Sequence, residues 1–168
     1  MLLTVDRLGV LLIGKSGSGK SELALELVAR GHRLVADDAV EWRRAGAAVI
    51  GRAPPSLAGF IEVRGLGVLD LRALYGRRAL APAARLRLVI EIGARASSRP
   101  EARLVGDRGV YQVLGVRVPK ISLPRRLGHN SAVLVEAACR DQRLREAGRI
   151  APQRFAARLR RRLQTSSP

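Results

Sequence analysis

The octapeptide Gly14 to Ser21, GKSGSGKS, fits the pattern G-x-x-x-x-G-K-[ST] in full. Each fixed position has a chemical reason. Gly14, Gly17 and Gly19 let successive backbone N–H groups turn inward as an anion nest, and the start of the following helix adds its dipole. Lys20 is placed to reach the terminal phosphates of a nucleotide, and the Ser21 hydroxyl is a candidate Mg²⁺ ligand. Lys15, Ser16 and Ser18 complete the loop as backbone donors. A second group of interest is the acidic pair Asp37 and Asp38. A carboxylate there could hold metal or take a proton from a hydroxyl nucleophile; it could equally cap a helix or close a solvated turn. Glu62 and Arg64, two residues apart, read by themselves as an exposed strand pair of opposite charge.

Positioning these groups requires particular elements. Gly9 to Ile13 is a short apolar run that enters the loop, and Leu23, Ala24, Leu27 and Val28 then recur at helical spacing up to Gly31. This is strand, phosphate loop, helix. His32 to Ala36 is a second strand that ends at the acidic pair, where open α/β sheets bind ligands. Val40 to Arg44 and Ala47 to Gly51 flank a turn and predict a hairpin, as do Phe60 to Val63 and Gly67 to Leu71. Leu86, Leu88, Ile90 and Ile92 alternate along one strand and are expected on one face. Gly93 to Asp107 reads as a loop, Val110 to Val118 as a strand, and Pro119 to Asn130 as a basic loop ending in His129 and Asn130. Ser131 to Ala138 is an apolar run of either helix or strand. From about residue 152 to 163, Phe155, Leu159 and Leu163 define an amphipathic helix with arginines on its other side.

Composition narrows the class. The 168 residues suit one domain, 47% are hydrophobic, and no stretch approaches the ~20 apolar residues of a membrane span. Asp6 and Arg7 interrupt the opening apolar run, which argues against a leader peptide. Cys139 is the one cysteine, so no intramolecular disulfide forms, and a reducing, cytoplasmic setting is expected. The net charge of +17 would suit nucleic acid, but three lysines stand against 28 arginines and no aromatic side chains interleave the basic runs. Compositional bias explains the charge better than a binding surface does.

The blocks GHRLVADDAVEW, GRAPPSLAGFIEVRGLGVLDL and VRVPKISLPRRLGHN, following the phosphate loop in this order, resemble the catalytic domain of HPr kinase/phosphorylase over about Leu8 to Gly148. The resemblance implies an α/β P-loop domain of the HPr kinase/PEP carboxykinase-like type, a mixed sheet with flanking helices. It implies transfer of a phosphoryl group from ATP or pyrophosphate, with Mg²⁺, to a serine of the phosphocarrier HPr, and removal of that group with inorganic phosphate. Asp37 then becomes the general base, Asp38 an aid to metal and geometry, Ser21 and Glu62 the metal ligands. Arg64 would sit near the phosphates or a subunit contact. Lys120, Arg125 and Arg126 would clamp phosphate, with Arg125 taken as catalytic beside Lys20. His129 departs from the arginine that the family has there, a weaker grip on phosphate that bears on the phosphorylase direction. The resemblance further implies a hexamer whose C-terminal helices meet the acidic carrier, a preceding domain of unrelated fold, and an assisting histidine ahead of the loop. A chain beginning at Met1 reads as a short form or one whose start lies further upstream. Two other readings keep the fold: a small-molecule kinase, and a nucleotide-binding regulatory domain that has lost transfer.

Overall fold

The computed structural model describes residues 1–94, 102–124 and 131–165. Strand β1 (Leu2–Val5) turns through Asp6 and Arg7 into β2 (Leu8–Ile13). Both turn residues have positive φ, 48° and 65°, the pairing that matches strand twist in a two-residue hairpin. Neither is glycine, so the turn is tethered instead. The Asp6 carboxylate accepts a hydrogen bond from Arg140 Nε at 2.7 Å, and its carbonyl accepts one from Arg143.

The phosphate loop follows β2 and opens α1 (Lys20–Ala29), which leads to β3 (Arg33–Ala36). The hairpin β4 (Glu41–Ala45) and β5 (Ala48–Arg52) comes next, then a second hairpin, β6 (Phe60–Val63) and β7 (Gly67–Asp70). Asp70 ends β7 by accepting the N–H groups of Arg72 and Ala73, which caps the short helix α2 (Leu71–Tyr75). The long strand β8 (Ala84–Ala94), α3 (Ala102–Val105), β9 (Arg108–Val113) and β10 (Val116–Pro124) precede the helices α4 (Ser131–Glu146) and α5 (Ala151–Thr165).

The strands order as β3-β1-β2-β8-β10-β9, with β5 joined to the start of β8. β2, β8 and β10 run parallel and the other neighbours antiparallel, so the sheet is mixed. On one face Leu3, Val10, Leu12, Leu88 and Ile90 pack against Leu23 and Leu27 of α1 and Val135 and Cys139 of α4. On the other, Leu2, Leu11, Val89 and Val118 pack with Trp42 of β4. Strand alternation sorts the side chains, and fully burying a leucine stabilises by about 1.5–3 kcal/mol.

Three sequence expectations change. Leu86 packs with Val89 on the face opposite Leu88, because the ladder pairs Gly9 with Leu86 and Val10 with Leu88, leaving Arg87 as a bulged extra residue. Val110 to Val118 is two strands, not one: the chain reverses at Leu114 and Gly115, both at positive φ, and leucine there carries no turn signal. Pro119 to Pro124 belongs to β10 rather than to a loop. Pro119 faces Val110 of β9 only, since pairing with β8 begins at Lys120, and the missing N–H is thereby tolerated. The apolar run after Ser131 is helical, and α5 is the helix its periodicity predicted, with Phe155 and Leu159 exposed.

A buried network locks the far end of α1. Glu136 of α4, 8% exposed, accepts from Arg30 Nε and Nη2 at 2.8 Å each and contacts His32 Nε2 at 3.0 Å. His32 Nδ1 accepts the Asp6 N–H, which assigns the ring proton to Nε2. The Arg30 guanidinium, followed by His32, holds the Glu136 carboxyl down at about 2. Its folded value lies below the unfolded one, so its stabilisation is present above the ordinary carboxylate range and is lost as pH falls towards 2. Glu136→Gln should therefore cost about 1–3 kcal/mol at neutral pH in urea unfolding, and the gap to the parent should close as pH falls from about 4.5 to about 2.

Candidate phosphoryl-transfer site

β2 delivers Gly14 to the point where β8 ends. A Cβ on Gly14 would lie 2.5 Å from the Ile92 carbonyl oxygen and 2.7 Å from Ser18 Oγ, so the loop closes only around a glycine. Ser18 N–H donates to the Lys15 carbonyl at 3.1 Å. Lys20 Nζ donates to the carbonyls of Gly14 (3.0 Å) and Lys15 (3.2 Å), folding the lysine back over its own loop. Gly19 at the start of α1 supplies no side-chain cap, which leaves the first-turn N–H groups for an incoming anion.

β3 carries Asp37 and Asp38 to the same end of the sheet, separated from the phosphate strand by β1. β6 buries Ile61 and Val63 against the core, so its alternation turns Phe60 and Glu62 outward. The Glu62 backbone N–H donates to Asp37 Oδ2 at 3.0 Å. Asp37 Oδ1 is buried and has no hydrogen-bond partner among the described residues. Burial raises the Asp37 carboxyl above its ordinary range, the Glu62 N–H opposes this, and the negative charges of Asp38 and Glu62 add to it.

These pieces line one cleft of about 250 Å³, bounded by Ser16, Gly17, Gly19, Lys20, Ser21, Glu22, Asp37, Asp38, Glu62 and Arg64. Of the residues singled out in the sequence, Gly14, Lys15 and Ser18 do not line this cleft but shape the loop. Arg125, with Arg126 and His129, lies outside the described residues. Lys120 does not face the cleft: its ammonium pairs with Glu91 at 2.8 Å, and Ser122 Oγ donates to the same carboxylate at 3.1 Å. The Lys120 hydrogen bond, assisted by Ser122, pulls the Glu91 carboxyl below its usual range. Glu22, which the sequence reading passed over, joins the cleft from the first turn of α1; its place next to Ser21 was the available signal.

The donor set fits a magnesium nucleotide. Among the described residues no cluster of three or more His, Cys, Asp or Glu could cage a metal. A hydroxyl (Ser21) and a carboxylate (Glu62), completed by phosphate oxygens and water, is the sparse shell that Mg²⁺ accepts. The orphaned Asp37 oxygen beside an amide-lined loop can receive a proton from a hydroxyl brought to a phosphate.

The sequence model of the HPr Serine kinase C-terminal domain matches residues 1–159. The chain belongs to this family. As an HPr serine kinase C-terminal domain it is 47% identical over 159 residues to the HPr kinase/phosphorylase of Aromatoleum aromaticum, covering 94% of this chain and 51% of that one. Against the HPr kinase/phosphorylase of Geobacillus thermodenitrificans the identity is 42% over 160 residues, 95% of this chain and 52% of the other. The chain thus spans about half the length of these relatives. A solved structure, that of the Hpr(Ser) kinase/phosphatase from Coxiella burnetii, superposes with a TM-score of 0.80 at 32% identity, covering 92% of this chain and 94% of that one. The α/β P-loop fold expected of an HPr kinase domain is the fold observed, with β1 antiparallel beside the phosphate strand.

A base must be deprotonated to act, so raising its pKa moves the acid-side loss of activity to higher pH. Were Asp37 to serve as that base, the acid limb of the kcat profile would fall above the ordinary aspartate range of about 4. Asp37→Asn should abolish that limb together with at least about 10²-fold of the rate.

Proposed function

We propose that the chain is a Mg²⁺-dependent serine kinase domain that phosphorylates HPr, the phosphocarrier protein, using ATP or pyrophosphate. The observation that carries this reading is the divided Asp37 carboxylate: one oxygen is held by the Glu62 N–H, and the other is buried and, among the described residues, unpaired in the cleft of the phosphate loop. In the forward direction the serine hydroxyl of the carrier gives its proton to Asp37 Oδ1. The serine oxygen forms a bond to the terminal phosphorus as the bond to the leaving ADP, or to the leaving phosphate when pyrophosphate is the donor, breaks. In reverse, inorganic phosphate attacks the phosphoserine phosphorus, pyrophosphate forms, and Asp37 returns the proton to the serine oxygen.

The loop N–H groups and Lys20 hold the phosphate chain and neutralise its charge, an electrostatic task in a transfer whose bond-making is loose. Lys20 must exchange its contacts with the Gly14 and Lys15 carbonyls for phosphate oxygens, trading neutral acceptors for charged ones. Ser21 and Glu62 would hold Mg²⁺, which supplies Lewis-acid neutralisation of the phosphate oxygens. Asp38, exposed at the rim, adds charge on the metal side. Arg125 would add a further cation to the phosphate. No helix among the described residues is long and apolar enough to cross a membrane, and a cytoplasmic setting suits both carrier and nucleotide.

The decisive experiment incubates the protein with ATP, Mg²⁺ and HPr and detects phosphoserine on the carrier. The parent should label HPr; Asp37→Ala should keep its ATP affinity within about threefold and lose about 10²–10⁴-fold of the transfer rate. An unlabelled carrier, with ATP bound to the parent, would overturn the proposal.

A further inference from the structure

β3 runs from Arg33, and Asp37 of the phosphate cleft follows its last residue. At the Arg33 end lies a second cavity, of about 690 Å³, between the β1–β2 turn, the start of β3 and the segment Ala81 to Ala83. Most of its polar lining is already matched. Arg30 and His32 are turned to Glu136, and the other His32 nitrogen accepts the Asp6 N–H. The Asp6 carboxylate is held by Arg140. Arg7 and Arg33 are the exceptions. Both are exposed, and among the described residues neither guanidinium has a hydrogen-bond or ion-pair partner.

Arg7 also sits in a backbone conformation that a long side chain does not favour. At φ 65° it takes the second position of a two-residue turn, where glycine is the usual residue. The tether to α4 accounts for Asp6 in this turn, but among the described residues no polar contact accounts for the arginine beside it. What the strained residue supplies is a cation at the edge of the cavity. The second cation comes from a different element. Arg33 stands opposite Thr4 in the β1–β3 ladder, so its side chain and the Thr4 hydroxyl share one face.

Charge and shape together define the occupant. With Asp6 and Glu136 matched, the positive charges of Arg7 and Arg33 remain, on separate elements. A dianion whose charges lie on two separate groups meets both, each carboxylate accepting one guanidinium fork. A lone inorganic anion would leave most of the volume to water, and a bisphosphate would bring surplus negative charge beside Asp6 and Glu136. The side chains of Ala81, Pro82 and Ala83 offer an apolar wall to a short hydrocarbon link. We propose that this cavity binds a small aliphatic dicarboxylate, one carboxylate on Arg7 and the other on Arg33 and the Thr4 hydroxyl. The site is separate from the phosphate cleft and does not rest on the phosphotransfer reading.

Calorimetric titration of the full chain at fixed ionic strength tests this, with glutarate as the dicarboxylate and acetate as the single-carboxylate control. Glutarate should bind saturably and at least about tenfold more tightly than acetate, because its second group binds within the same molecule. Arg7→Gly and Arg33→Ala should each weaken it about tenfold or more, whereas Lys20→Ala, in the phosphate loop, should leave it within about twofold. Glycine suits φ 65°, so Arg7→Gly should hold or raise the unfolding midpoint while binding is lost. Absence of saturable glutarate binding to the parent would overturn the proposal, as would acetate binding equally tightly or affinity untouched by either arginine variant. Equal losses in Lys20→Ala and Arg33→Ala would place the ligand in the phosphate loop and overturn it too. So would pyrophosphate binding Lys20→Ala more tightly than glutarate does.

Discussion

The parallel pairing of β2 with β8 is the constraint on which the site depends. It sets Ile13 beside Glu91 and so delivers Gly14 against the Ile92 carbonyl, where the chain must leave the sheet and turn. Everything in the cleft is measured from that exit point. β8 is also the strand on which β10 and β5 pair, so the same backbone that fixes the phosphate loop fixes the neighbouring strands of the sheet. A slip of one residue in this ladder would exchange Leu88 and Ile90 with Val89 and Glu91, and would put a carboxylate into the α1 core. Register and phosphate geometry are one specification.

Much of this was readable from residue order. The glycine pattern, the helical spacing of Leu23, Leu27 and Val28, and the two hairpins read from their turns all follow from local chemistry. What could not be read were features that depend on partners distant in sequence. The bulge at Arg87 is a property of the β2–β8 ladder, and the sequence RLRLVIEIG alternates evenly through it. Pro119 looked like a strand breaker because its tolerance rests on where β8 begins to pair. At the site, the family resemblance picked out Asp37 and Glu62, but not that a main-chain N–H of one would restrain the carboxylate of the other. Lys120 looked free to bind phosphate until Glu91, from the neighbouring strand, claimed it.

The distribution of charge carries a related lesson. The chain is strongly basic as a whole, yet its cleft gathers Glu22, Asp37, Asp38 and Glu62 around two cations. A purely cationic pocket would hold phosphate well and release it poorly, and it would repel Mg²⁺. The mixed lining instead suits a ligand that is itself mixed, an anion carrying its own divalent counter-ion. The arginine surplus belongs to the surface of the molecule, and the chemistry belongs to a small, balanced region within it.

Helix α1 begins at the phosphate loop, and just beyond its end Arg30 and His32 are fastened through Glu136 to α4. A nucleotide drawn onto the first turn pulls along the helix axis, and a helix free at its far end would recoil by sliding over the sheet. The Glu136 clasp removes that freedom. Any displacement demanded by the loop must then be taken up by the loop and its facing hairpin, with α1 as a fixed strut behind them.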